Sequence, residues 1–280
     1  MDVPKTSPRT GVPLQTTVTG GPGLLRRVTN QPWLVPVRSF AVFAGLWQIA
    51  FLWNDNALQL PSPARVLTAL WDLLVSGEIL EHASVSTGRM AIALVAAIAV
   101  AVPLGFWMGL SRKADAYIDP LVELLRPISG IAWLPLALYI FGVGDTLPVF
   151  IMVYVAFFPI LLNTIAGVRQ VDKKLIAAAR TMGVRPTALL LHVLIPAALP
   201  TVMVGIRLAF AASWAAIVAA ELIGSPSGLG FAIEWYRQLL MTPKVFAFIL
   251  AIGVVGYLCD VGLRALQRYL TPWADGMELT

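Results

Sequence analysis

Charge is what this sequence has least of: only 12% of its 280 residues are Asp, Glu, Lys or Arg, against about 25% in an ordinary soluble domain. So few ionic groups cannot cover a water-exposed surface. With 58% hydrophobic residues and a mean hydropathy of +0.80, the solvent is lipid. Cysteine is equally scarce. Cys259 stands alone in a late apolar run, which excludes an intramolecular disulfide and suits a small buried core residue. The two histidines, His82 and His192, fall in segments assigned to opposite membrane faces, so the sequence offers no metal-ligand cluster and no nucleophile and base constellation. A glycine-rich loop ending in Lys and Ser or Thr is also missing, which excludes the usual cradle for nucleotide phosphates. Catalytic residues, metal and cofactor are therefore all expected to be none.

The net charge of +5 does not point to nucleic acid. In a chain this apolar it reflects Lys and Arg retained on the cytoplasmic side. A transmembrane helix needs about 20 apolar residues, so the chain has room for about six spans with their loops in one all-α integral membrane domain. The spans expected are Pro32 to Trp53, with Arg38 snorkelling to the surface, then Met90 to Leu110, Pro127 to Gly144, Thr146 to Val168, Val193 to Ala220 and Val245 to Leu263. Residues 1–31, rich in Pro, Gly and Thr, read as a flexible cytoplasmic tail without the apolar stretch of a signal peptide, and residues 269–280 as a second tail. The transmembrane domain is 32–268, with its main cytoplasmic loop at 169–192. Fifteen of the twenty basic residues fall on the tails, the cytoplasmic loops and adjoining span edges, Arg126 among them, which puts both termini in the cytoplasm.

Polar groups inside apolar spans are costly and are functional candidates. Ser129, Trp133, Asn163, Thr164, Arg207, Ser213 and Trp214 qualify as pore-lining candidates. Arg207 would favour an anionic solute in a pore, but it suits rather better an interhelical pair with a carboxylate or carbonyl near one end. Trp133 suits an interfacial anchor as well. Glu221, near the external end of the fifth span, suits capping or a pair with a loop cation better than solute contact.

The most informative stretch runs from Asp172 to Pro200, DKKLIAAARTMGVRPTALLLHVLIPAALP. Asp172 is a suitable N-cap, and Leu175, Ala178 or Ala179, and Met182 fall at helical spacing to form one small apolar face. Gly183 can end that helix in the left-handed conformation, and Pro186 suits the first turn of a second. Such a helix, turn and helix is a rigid knob able to sit in a cleft of another protein; an amphipathic loop lying on the bilayer is the alternative from physics alone.

Ala177-Ala178-Ala179-Arg180-Thr181-Met182-Gly183, followed by Ile195-Pro196-Ala197-Ala198-Leu199-Pro200, resembles the EAA signature of ATP-binding-cassette importer permeases. Ala177 stands where that signature normally opens with Glu. Leu60-Pro61-Ser62-Pro63, Leu125-Arg126-Pro127, Phe158-Pro159-Ile160-Leu161-Leu162-Asn163-Thr164, Gly205-Ile206-Arg207 and Ala219-Ala220-Glu221-Leu222 resemble the nitrate, sulfonate and taurine branch. The resemblance implies a type I importer permease fold of the MetI kind, in the bacterial inner membrane. It implies two copies of the permease, two ATPase subunits and an external substrate-binding protein, with Asp172, Leu175, Ala177 to Arg180, Met182, Gly183 and Pro196 coupling to the ATPase. An ion-gradient-driven secondary transporter would need carboxylates near mid-bilayer, of which the sequence offers few; a membrane protein without transport is the other competitor.

Overall fold

The computed structural model describes residues 34–54 and 59–274, and all regular structure among them is helical. The expected tail at 1–31 lies outside the described residues, as do 275–280 of the expected second tail. The chain divides at Trp53 into two units. In the first, α1 (Leu34–Asn54) carries the first expected span. Its large apolar side chains, including Phe40, Phe43, Leu46 and Leu52, are exposed, as suits a helix facing lipid.

The second unit opens with α2 (Pro63–Val75), where the Ser62 side chain accepts from the Arg65 N–H and Pro63 supplies a pre-set first turn. Gly77, with φ of +81°, turns the chain into α3 (Glu78–Leu110). Glu78 and Glu81 lie in its first turn, where carboxylates favour the positive end of the helix dipole. The helix thus begins well before Met90, and its first turns bring His82, Ser86 and Arg89 onto one face.

Ser111 caps α4 (Arg112–Leu125), its side chain accepting from the Ala114 N–H. The third expected span, Pro127 to Gly144, is broken. A 3-10 turn at Gly130–Trp133 leads into α5 (Leu134–Phe141), and this stretch bends 80° from α4. Pro127 and Pro135 lack the N–H groups a continuous helix requires. At 8 residues, α5 is only about 12 Å long and cannot cross alone.

The remaining elements are α6 (Thr146–Gln170), α7 (Lys173–Thr181), α8 (Pro186–Leu189), a π-turn at Leu190–Leu194, α9 (Ile195–Gly224), α10 (Leu229–Gln238) and α11 (Thr242–Leu270). Among the described residues, 4 helices are long and apolar enough to cross a membrane: α3, α6, the continuous run Pro186–Gly224 and α11. The bent pair makes up to 5.

Helix α6 lies at the centre, packed along its length by α3 and α9. Lipid is as apolar as a leucine, so helices in a bilayer associate by close packing, which small residues permit. Ala93, Ala97, Ala101 and Gly105 make such a stripe on the buried side of α3. A Cβ at Gly105 would lie 2.7 Å from Cβ of Thr164, and one at Gly205 would lie 2.9 Å from the Pro159 carbonyl oxygen. Both helices therefore approach α6 as closely as backbone allows.

Candidate functional site

The stretch after α6 folds as a capped helix, a tight turn and a second helix. The Asp172 carboxylate accepts from the Lys174 N–H at 2.8 Å, and its carbonyl accepts from Leu175 and Ile176. Gly183, with φ of +74°, closes α7. Its N–H donates to Arg180 and that of Val184 to Ala179, which satisfies carbonyls the helix end would leave open. Ala179 turns inward with Val171, Leu189 and Leu194, and Ile176 and Val184 pack against that group. Leu175, Ala178 and Met182, at i, i+3 and i+7, point the other way; Met182 is 81% exposed. Ala177, Arg180 and Gly183 are also exposed, and Pro196 lies apart from this face, in the first turn of α9. A knob anchored by one apolar side thus leaves a second apolar side exposed.

A separate cavity of about 430 Å³ opens beside α6. Arg126, Ser129 and Gly130 form one wall, at the break between α4 and α5, while Tyr154, Pro159 and Asn163 of α6 form the other. The Tyr154 hydroxyl donates to the Leu125 carbonyl at 2.7 Å and so fixes the end of α4 against α6. Asn163 Nδ2 donates to the Pro159 carbonyl at 2.8 Å. Trp133 lies against Tyr154, the rings tilted and their centroids 5.7 Å apart.

The other polar candidates lie elsewhere. Thr164 is fully buried against Gly105 and donates to the Ile160 carbonyl. Ser213 is buried too and donates to the Met152 carbonyl at 3.1 Å, while Trp214 Nε1 donates to the Ile252 carbonyl of α11. Arg207 also faces α11: Nε and Nη2 lie 3.4 Å from Asp260 Oδ1, and Nη1 lies 3.4 Å from Gln267 Oε1. Arg264 holds the second Asp260 oxygen at 2.7 Å. Ser129 and Asn163 thus line one cavity, with Trp133 against Tyr154 beside it, and Arg207, Ser213 and Trp214 are not joined to them.

A third constellation was not singled out from sequence. Arg89 is buried on α3, and its Nη1 donates to Glu221 Oε1 and to the Ser227 carbonyl, both at 2.7 Å. Its Nη2 and Nε reach Asp145 at the start of α6, and Nη2 also donates to Ser227 Oγ at 2.8 Å. Ser86 Oγ donates to Glu221 and accepts from the Leu229 N–H; the Gly230 N–H donates to Glu221 Oε2 at 2.9 Å. Gly228, with φ of +107°, lies so close to the Glu221 carboxylate that any side chain there would collide. The Gly228 N–H donates to His82 Nδ1 at 3.2 Å. Glu221 therefore meets a cation, as expected, but one from the start of α3 and not from a loop. Sequence offers only a partial signal, His82, Ser86 and Arg89 at i, i+4 and i+7 on one face of the helix ahead of Met90, and nothing in it names Glu221 as their partner.

Outside the spans, Tyr236 of α10 donates to the Glu78 carboxylate at 2.7 Å. Burial and then the adjacent carboxylate push its hydroxyl pKa up to about 12. Glu234 accepts from Arg237 and Gln238, which hold its carboxyl down to about 2.

Residues 101–275 match the family of binding-protein-dependent transport system inner membrane components. The taurine transport system permease protein TauC of Escherichia coli is 36% identical over 81% of this chain and 84% of its own length. The putative aliphatic sulfonates transport permease protein SsuC of Bacillus subtilis is 35% identical over 88% and 90%. The fold is also that of a chain in the inward-facing MetNI methionine ABC transporter, with a TM-score of 0.56 at 18% identity over 71% of this chain and 96% of that one. The chain therefore belongs to the inner membrane components of binding-protein-dependent transport systems: it is the multi-pass permease subunit of an ATP-binding-cassette importer, in which a separate subunit hydrolyses ATP.

Proposed function

We propose that this permease conducts a small oxyanion of the sulfonate, taurine or nitrate kind through the cavity beside α6, and that the knob from Asp172 to Leu189 couples the passage to ATP hydrolysis. The carrying observation is the exposed face of Leu175, Ala178 and Met182 on a helix anchored from behind by Ala179 and Ile176. An apolar face held rigidly in water is a docking surface, and rigidity lets a push on it move the membrane helices. Beyond the tight turn that closes α7, the chain runs without a break from α8 through the π-turn into α9. Displacement at Met182 is therefore delivered along α9 to its packing surface on α6, which carries the cavity wall.

Two permease copies, two ATPase subunits and an external binding protein complete the proposed machine, with both termini in the cytoplasm. The inside bias of Lys and Arg supports that orientation, and the names of the taurine and sulfonate relatives support the solute class. Where the EAA signature opens with Glu, Ala177 leaves docking to apolar contact and to the exposed Arg180. The test is a crosslink from Met182→Cys, in a Cys259→Ser background, in native vesicles containing the partner ATPase. Capture of the ATPase is expected; its absence, with capture from a cysteine elsewhere on the cytoplasmic face, would overturn the coupling role.

A further inference from the structure

Tyr154 and Asn163, which bound the cavity on α6, bracket the midpoint of that 25-residue helix. If α6 crosses the bilayer from end to end, the cavity lies near mid-depth, since each helix end is roughly 10 Å or more away at 1.5 Å per residue. Arg126 lines the same cavity. Sequence reading groups it with cytoplasmic edge cations, but the 80° bend between α4 and the stretch beginning at Gly130 brings it beside the middle of α6. It is the one charged residue in the cavity lining. Among the described residues no carboxylate pairs with it, not even Glu123 one turn earlier on α4.

An ionised side chain at membrane depth is normally paired or lines a water-filled path. Arg207, the cation singled out from sequence, is of the paired kind, held by Asp260. Arg126 is of the other kind. Its neighbours in the wall are donors: the Ser129 hydroxyl makes no capping bond to its own turn, and the Asn163 amide uses one N–H on Pro159 and keeps another. A guanidinium fork flanked by neutral donors matches the geometry of a sulfonate or other oxyanion, which accepts two parallel N–H bonds.

We infer that Arg126 is the anion-selecting residue of the translocation path, binding the oxyanion head of the solute in transit while Ser129 and Asn163 supply neutral donors. This rests on the reading that solute passes through the cavity beside α6. The cation lowers the barrier for an anion at the depth where desolvation is greatest. A neutral solute gains nothing from it.

The experiment uses the complete transporter in proteoliposomes, with the partner ATPase and saturating binding protein, and follows uptake of ethanesulfonate and nitrate. Arg126→Gln is expected to lower uptake of the transported anion about tenfold or more, with Arg126→Lys keeping more activity than Gln and ATPase co-purification unchanged. Arg126→Cys in the Cys259→Ser background gives a second readout: an aminoethyl thiosulfonate should restore uptake and a methyl one should not. Wild-type uptake in the Gln variant, or equal rescue by the neutral reagent, would overturn the assignment. A wild-type transporter that imports a neutral or cationic solute but neither anion would instead sink the solute class proposed above.

Discussion

Glu221, fully buried near the end of α9, accepts a 2.7 Å hydrogen bond from Arg89 of α3, a helix more than a hundred residues earlier in the chain. Asp145, Ser227 and the Gly230 N–H complete the set, so one guanidinium and one carboxylate fasten α3, the start of α6, α9 and the strap into α10. Taking two charges out of water is costly, and their attraction offsets that cost only when every donor and acceptor is used. Here nearly all are.

Arg89→Met should therefore destabilise the permease by about 3–5 kcal/mol, because it strands the Glu221 charge. Arg89→Met combined with Glu221→Met should recover much of that loss. Thermal unfolding of the detergent-solubilised protein measures both, and equal losses in the single and double variants would contradict the pairing. Asp145→Asn, at a site 76% exposed, should cost far less.

Helix spacing gives a second test. At Gly205 a Cβ would lie 2.5 Å from Cβ of Asn163 and 2.9 Å from the Pro159 carbonyl, whereas at Gly253 of α11 nothing lies within 4 Å. Gly205→Ala should cost about 1–3 kcal/mol by forcing α9 from α6. Gly253→Ala should be neutral or stabilise by up to about 1 kcal/mol, since alanine favours a helix interior. Comparable melting shifts in the two variants would show that α9 does not touch α6 as described.

The burial of the Tyr236 hydroxyl, with its contact to Glu78, predicts an alkaline signature for α10. Its folded pKa of about 12 stands above the ordinary 10.0, so the stability it contributes is fully present below pH 10 and is lost as pH rises toward 12. Tyr236→Phe removes that window. Fluorescence from the neighbouring Trp235 should show a wild-type transition between these pH values that the variant lacks; identical alkaline profiles would sink the contact with Glu78.

The parts of this fold legible in sequence were those fixed locally. Asp172, Gly183 and Pro186 carry cap, stop and start signals that act over one helical turn, and the knob formed where they placed it. The long uncharged runs likewise became α3, α6, α9 and α11. The broken third span was not legible from hydropathy, because Pro127 to Gly144 is uniformly apolar and the break depends on backbone donors that prolines lack. The Arg89 and Glu221 pair was hidden for another reason. Its partners are brought together by packing on α6, and no pattern local to either residue announces the other.

The coupling role of the knob is tested most directly by uptake against ATP hydrolysis in proteoliposomes holding the whole transporter. Gly183→Val places a β-branched residue at φ +74°, a strain of about 1–2 kcal/mol confined to the turn, where a Cβ meets nothing within 4 Å. Solute uptake per ATP hydrolysed is expected to collapse while membrane insertion and the melting of the helical core are retained. Unchanged uptake per ATP, with Met182 still exposed, would contradict the transmission of force through residues 172 to 189.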